Sequence, residues 1–127
     1  MKVLGLVWLG TRTDRFQETA SFFENVLGFT PMATEDGVHV FALPNADVVE
    51  VFSADRKASA HLSTGPVIGF LVPDLDDARS ELSAAGVEIL HEGKAAMRAN
   101  RWFQFRAPDG NIYEIVEDRD RLGATGV

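Results

Sequence analysis

Val48-Val49-Glu50-Val51-Phe52 and Ile112-Tyr113-Glu114-Ile115-Val116 are two short apolar runs, each carrying one glutamate at its centre. Apolar runs of this length, bounded by turn residues, read as strands. Pro44-Asn45-Ala46-Asp47 precedes the first and Pro108-Asp109-Gly110-Asn111 the second. In both, the proline stands six residues before the glutamate. The same charged residue at the same place, behind the same turn chemistry, marks an internal repeat.

Working outward from each glutamate, the order of elements is also repeated. Residues 3–9 read as a buried strand. A helix then starts at Asp14, with Gln17 three residues later completing a capping box. Phe16, Ala20, Phe23 and Leu27 recur at helical spacing and Gly28 stops the helix. Residues 31–34, 38–43 and 48–52 follow as strands. In the second half, residues 67–72 are a strand, Asp74 is an N-cap, and Leu75, Ala78, Leu82 and Ala85 form an apolar helix face closed by Gly86. Strands are expected at 87–91, 102–106 and 112–116. The chain therefore reads as two βαβββ modules, residues 1–53 and 66–118, in one domain spanning residues 1–127. A Ser-, Ala-, Lys- and Thr-rich linker joins them at 54–65, a tail covers 119–127, and the Glu117-Asp118-Arg119-Asp120-Arg121 run reads as solvated, with alternating charges.

Composition narrows the function. The 127 residues are 46% hydrophobic, enough for one core without disulfides or a structural metal. Twelve Lys and Arg against nineteen Asp and Glu leave a net charge of −7, which argues against nucleic acid as a partner. The absence of cysteine excludes thiolate nucleophiles and Cys-based metal centres. No apolar run reaches membrane-spanning length, so no membrane partner is expected. The apolar start at residues 3–10 is too short for a signal peptide and is interrupted by Thr11-Arg12-Thr13-Asp14. A cytoplasmic location follows.

Three stretches carry a family resemblance: Phe22-Phe23-Glu24-Asn25-Val26-Leu27-Gly28-Phe29; Phe70-Leu71-Val72-Pro73-Asp74-Leu75-Asp76 running to Ala84-Ala85-Gly86-Val87; and residues 103–114, with the Pro108-Asp109-Gly110-Asn111 turn and Glu114. In this order on a repeated scaffold, they resemble the vicinal oxygen chelate superfamily. Its members include glyoxalase I, bleomycin-resistance proteins, extradiol dioxygenases and fosfomycin-resistance enzymes. The resemblance covers residues 3–117. It implies an α+β fold in which both modules form a cupped mixed sheet with helices outside. It also implies a homodimer, since relatives of this size usually pair and a second copy would cover an exposed sheet edge.

In metal-bearing relatives, the first and last strands of each module supply the ligands. The last-strand positions here are Glu50 and Glu114. The first-strand positions are Trp8, twenty residues before Gly28, and Val67, seven before Asp74. Indole offers only an N–H donor and valine offers nothing. His39, His61 and His91 have no partners at metal-ligand spacing. No cofactor is expected, and the two glutamates leave room for at most a weakly held divalent metal.

A glutamate buried in an apolar strand needs a partner. Either each pairs with an arginine, from Arg12, Arg98, Arg101 and Arg106, or one serves as a general base or ligand acceptor. Side-chain alternation with the family's placement puts Phe103 and Phe105 against the helices. Trp102, Gln104 and Arg106 then face the cup with Trp8 and Gly10, with Val48, Glu50 and Phe52, and with Ile112, Glu114 and Val116. Trp8, Phe52 and Trp102 would wall a pocket, with Glu50, Glu114, Gln104 and Arg106 as polar points, suited to a small planar or aromatic molecule. Alternatively, Trp8 fills the space a metal site would occupy. The reading is a metal-free small-molecule binding protein of the glyoxalase and bleomycin-resistance kind. The alternative is a metal-assisted or glutamate-based lyase, isomerase or dioxygenase, with Glu114 and Glu50 as its catalytic candidates.

Overall fold

In the computed structural model, which describes residues 1–94 and 100–124, the repeat becomes eight strands and three α-helices in a mixed α+β fold. β1 (Gly5–Thr13), α1 (Phe16–Asn25), β2 (Thr30–Glu35), β3 (Val38–Ala42) and β4 (Val48–Ser53) form the first βαβββ series. β5 (Val67–Leu71), α2 (Leu75–Ala84), β6 (Ile89–Lys94), β7 (Asn100–Arg106) and β8 (Ile112–Asp118) form the second, and α3 (Arg119–Ala124) follows.

The chain divides into two compact units. One is Trp8–Val67; the other is Met1–Val7 with the residues from Ile68 onward. The boundary falls inside β1, so residues 1–7 group with the residues from Ile68 onward. Within Trp8–Val67 the strand order is β2-β3-β4-β1, with β1 parallel to β4. In the other unit the order is β1-β5-β8-β7-β6, β5 is parallel to β8, and the Leu4 N–H donates to the Leu71 carbonyl over 2.8 Å.

Each unit buries one sheet face under its helix. Ala20, Phe41, Val49 and Val51 form the core beneath α1, with Phe16 and Phe23 packed against them. Val72, Leu75, Ala78, Phe103 and Ile115 do the same beneath α2, joined by Leu82 and Phe105. Burial at this scale, about 25 cal/mol per Å² of apolar surface, drives both assemblies. Phe103 and Phe105 thus take the helix side, and Glu50 and Glu114, one residue from Val49, Val51 and Ile115, point to the opposite face.

The two helix starts differ. Asp74 caps α2, its carboxylate accepting from the Asp77 N–H at 3.0 Å. Asp14 does not cap α1: the helix begins one residue beyond Arg15 without a side-chain cap, and Thr13 Oγ1 accepts from the Arg15 N–H instead. The threonine hydroxyl reaches the turn first, so the expected capping box never closes.

The linker and the start of the charged run at Glu117-Asp118 both contribute buried residues. The linker carries a 3-10 turn at Lys57–Ser59 and buries Ser59 and Leu62. The alternating charges at the chain's end begin inside β8, where Glu117 and Asp118 are buried. Glu117 accepts from the Leu75 N–H at 3.0 Å and pairs with Arg101 at 3.3 Å, anchoring the start of α2. That hydrogen bond, then the one to Asp76, holds the Arg101 guanidinium still more firmly protonated than usual. Asp118 accepts from the Asp120 and Arg121 N–H groups and opens α3.

Candidate functional site

Within Trp8–Val67, the sheet face away from α1 carries Trp8, Gly10 and Arg12 from β1, and Glu50 and Phe52 from β4. Pairing places Gly10 beside Glu50 and Arg12 beside Phe52. The Trp8 indole lies over Gly10, where an added Cβ would stand 2.1 Å from Trp8 Cη2. Only glycine leaves room for the ring in this pose. From it, Trp8 Nε1–H donates to Glu50 Oε1 at 3.2 Å, and the ring is tilted 47° to Phe52 at 6.4 Å between centroids. The Arg56 guanidinium sits 5.6 Å over the Phe52 ring, a cation–π contact, and donates to Ser59 Oγ at 2.6 Å.

In the other unit, the face away from α2 carries Trp102 and Gln104 from β7 and Glu114 and Val116 from β8. Gln104 is paired directly with Glu114, and its Nε2–H donates to Glu114 Oε1 at 3.0 Å. Both side chains are buried, at 5% exposure each, so an amide donor stabilises a carboxylate shielded from water. Trp102 lies over its cross-strand partner Gly93, where a Cβ would meet Trp102 Cζ2 at 2.6 Å. It packs against the cluster of Val7, Leu71 and Val116, which Leu122 from α3 also covers.

The structure brings Trp8, Glu50 and Phe52 together, and brings Trp102, Gln104 and Glu114 together. Arg106 joins neither group. It is exposed at the end of β7, donates to the Gly110 carbonyl at 2.9 Å and lies 3.7 Å from Glu88. The arginines expected to neutralise the glutamates are committed elsewhere: Arg12 to the Ala54 carbonyl at 2.8 Å, Arg101 to Glu117 and Asp76. Arg98 lies outside the described residues. His39 is on the helix side, stacked 6.2 Å from Phe41.

Two contributors escaped the reading of residue types: Gly93, beneath Trp102, and Arg56, over Phe52. A tryptophan two residues from a glycine on one strand, as in Trp8-Leu9-Gly10, is visible in the sequence. The Gly93–Trp102 pair is not, because it depends on cross-strand register.

Gly10 pairs with Glu50 as Gly69 pairs with Glu114, so the repeat is a structural one, with Trp8 and Val67 each two residues before the equivalent glycine. A sequence model of the glyoxalase/bleomycin resistance protein/dioxygenase superfamily matches residues 5–115. The chain belongs to that superfamily. Solved structures similar to this superfamily member include the Mn(II)-bound glyoxalase from Novosphingobium aromaticivorans, at 21% identity and TM-score 0.74, covering 92% of this chain and 40% of that one. Methylmalonyl-CoA epimerase from Mycobacterium tuberculosis shares 20% identity with TM-score 0.69, covering 96% of this chain and 93% of that one. A superfamily member from Vibrio splendidus shares 20% identity with TM-score 0.67, covering 90% and 100%. At these identities the likeness is one of fold. No curated protein sequence matches the chain.

Superfamily membership raises the question of a metal, and the donor set answers poorly. Trp8, at the first-strand position, directs an N–H and no lone pair at Glu50. Val67, its equivalent, is fully buried and has no donor atom. Among the described residues no group of three or more His, Cys, Asp or Glu is close enough to hold an ion. These residues do not fit a transition metal, which wants three or four N or O ligands.

Proposed function

We propose that this superfamily member binds a small planar or aromatic molecule without a resident metal, using the sheet face that carries Trp8, Glu50 and Phe52. One observation carries the reading: the Trp8 indole rests against Gly10 and is hydrogen-bonded to Glu50. A flat indole held this way supports stacking, worth about 0.5–1.5 kcal/mol per ring pair beyond burial. The glutamates supply the few polar groups that make an apolar site selective. Composition supports a cytoplasmic location.

The test is a screen of planar aromatic compounds read by tryptophan fluorescence, beside elemental analysis of protein purified without chelator. Trp8→Ala is expected to cost about 1–3 kcal/mol of affinity for the best compound. One tightly bound metal per chain, or a Trp8→Ala variant that binds as well as the wild type, overturns the reading.

A second reading is favoured by the burial of Glu114 against a neutral amide: a general base in a lyase, isomerase or dioxygenase reaction. Glu114→Gln keeps the shape and removes the charge. Retained binding with lost turnover supports the base; weakened binding supports the anchor.

We also infer a homodimer. β2 is exposed along its whole length, and Phe22, Val26, Leu27 and Met32 expose apolar side chains in the same unit, a combination that isolated chains avoid. Sedimentation at tens of micromolar is expected to give twice 13.9 kDa; a purely monomeric species refutes it.

A further inference from the structure

In this acidic chain, Arg15, Arg79, Arg101, Arg106 and Arg119 each have a carboxylate partner. Among the described residues, Arg12 and Arg56 form no such ion pair. Both flank Phe52: Arg12 is its cross-strand neighbour and Arg56 lies over its ring at 5.6 Å. Arg12 is only half-buried, makes one hydrogen bond, to the Ala54 carbonyl at 2.8 Å, and leaves its buried Nε without any partner. A buried donor left unsatisfied calls for an explanation, and two guanidinium groups beside one aromatic ring need a counter-charge.

We propose that Arg12 and Arg56 form the anion-reading end of the Trp8–Phe52 face, so that the ligand carries a carboxylate or phosphate next to its planar body. Guanidinium groups present rigid forks of N–H donors matched to both anions. Glu50 stands two residues before Phe52 on β4, about 7 Å along the strand. The face therefore runs from an acceptor, Glu50 with the Trp8 indole, to a cationic end. A ligand matching it has an N–H or hydroxyl at one end, an aromatic body, and an anionic group at the other.

This inference rests on the planar-ligand reading, and the experiment separates the two. Planar probes of one to three fused rings are titrated calorimetrically, each as its carboxylate and as its primary amide, with inorganic phosphate as competitor. The carboxylates are expected to bind about tenfold or more tighter than their amides. Competition by phosphate is expected, and would place a phosphate group in the ligand class. Arg12→Gln and Arg56→Gln are each expected to reduce the preference several-fold, weakening the carboxylates more than the amides, and Arg12→Lys to retain part of it. Arg56→Gln, on the surface turn, keeps the test open if Arg12→Gln fails to fold. Equal binding of carboxylates and amides, both weakened by Trp8→Phe, overturns the anion site and leaves the planar ligand standing. A preference untouched by either arginine also overturns it. No binding by any probe overturns both.

Discussion

Trp8 Nε1–H donates to Glu50 Oε1 across β1 and β4 at 3.2 Å, whereas Glu114, at the equivalent place, takes its donor from Gln104 on the neighbouring hairpin strand. The difference follows from residue type. Val67 stands where Trp8 does and has no donor, and the second glutamate accepts from Gln104 on β7. In the first module the position paired with Glu50 on β3 is Val40, equally unable to donate. Each module thus solves one problem, a carboxylate in an apolar strand, with whichever neighbour is polar.

Trp8→Phe keeps an aromatic ring and removes the donor. Loss of one hydrogen bond to a carboxylate is expected to cost about 1–3 kcal/mol, read as a shift of the urea midpoint at unchanged slope. In a Glu50→Gln background the same substitution is expected to cost less, because the acceptor is no longer charged. Equal costs in both backgrounds show that the bond is energetically silent.

Gly10→Ala places a methyl group 2.1 Å from the Trp8 ring, and Gly93→Ala places one 2.6 Å from the Trp102 ring. Each ring must swing off its glycine. Overpacking of this kind costs about 1–3 kcal/mol, and both variants are expected in that range because Trp8 and Trp102 are alike half-buried. A red-shifted emission with weakened ligand binding is the expected sign; unchanged spectra would mean the rings do not rest on these glycines.

The two aspartates ahead of the helices make a matched pair. Asp74→Ala removes a formed cap and is expected to lower stability by about 0.5–2 kcal/mol. Asp14→Ala removes none and is expected to fall within about 0.5 kcal/mol of wild type. Chemical denaturation of the two variants decides it, and equal losses would show that Asp14 caps in solution.

Chelation gives a fourth expectation. With Trp8 and Val67 at the first-strand positions, EDTA treatment followed by buffer exchange is expected to leave the melting temperature unchanged. Adding zinc or manganese is expected to raise it by no more than weak surface binding does. A melting temperature that falls on chelation and is restored by one equivalent of metal refutes a metal-free site.

The paired glutamates, the two prolines and the helix-stopping glycines made the repeat legible, because strand alternation and turn chemistry are local properties. Strand alternation together with the family resemblance placed Phe103 and Phe105 against the helices and Glu50 and Glu114 on the opposite face. What local patterns do not encode is which partner a side chain chooses across strands. Arg106 has the right alternation to stand with Gln104, yet its guanidinium is taken by the Gly110 carbonyl and Glu88. Glu117 and Asp118 look like the start of a charged tail, and only the length of β8 reveals them as caps for α2 and α3. The role of Arg56 was hidden because it lies in a stretch whose composition reads as linker.

The division of β1 between two units bears on how the polypeptide is made. Leu4 is bonded to Leu71, and Val7 packs with Leu71 and Val116. These opening residues leave the ribosome long before their partners exist. Trp8–Val67 can gather its own strands and helix as it emerges, while the segment ahead of it stays unpaired until β5 and β8 follow. Long-range pairing of this sort slows folding and lengthens the time an apolar strand edge is exposed. Val3 and Leu6, which remain exposed even in the finished fold, then make the nascent segment 3–7 a place where chaperone capture or misassociation between growing chains would begin.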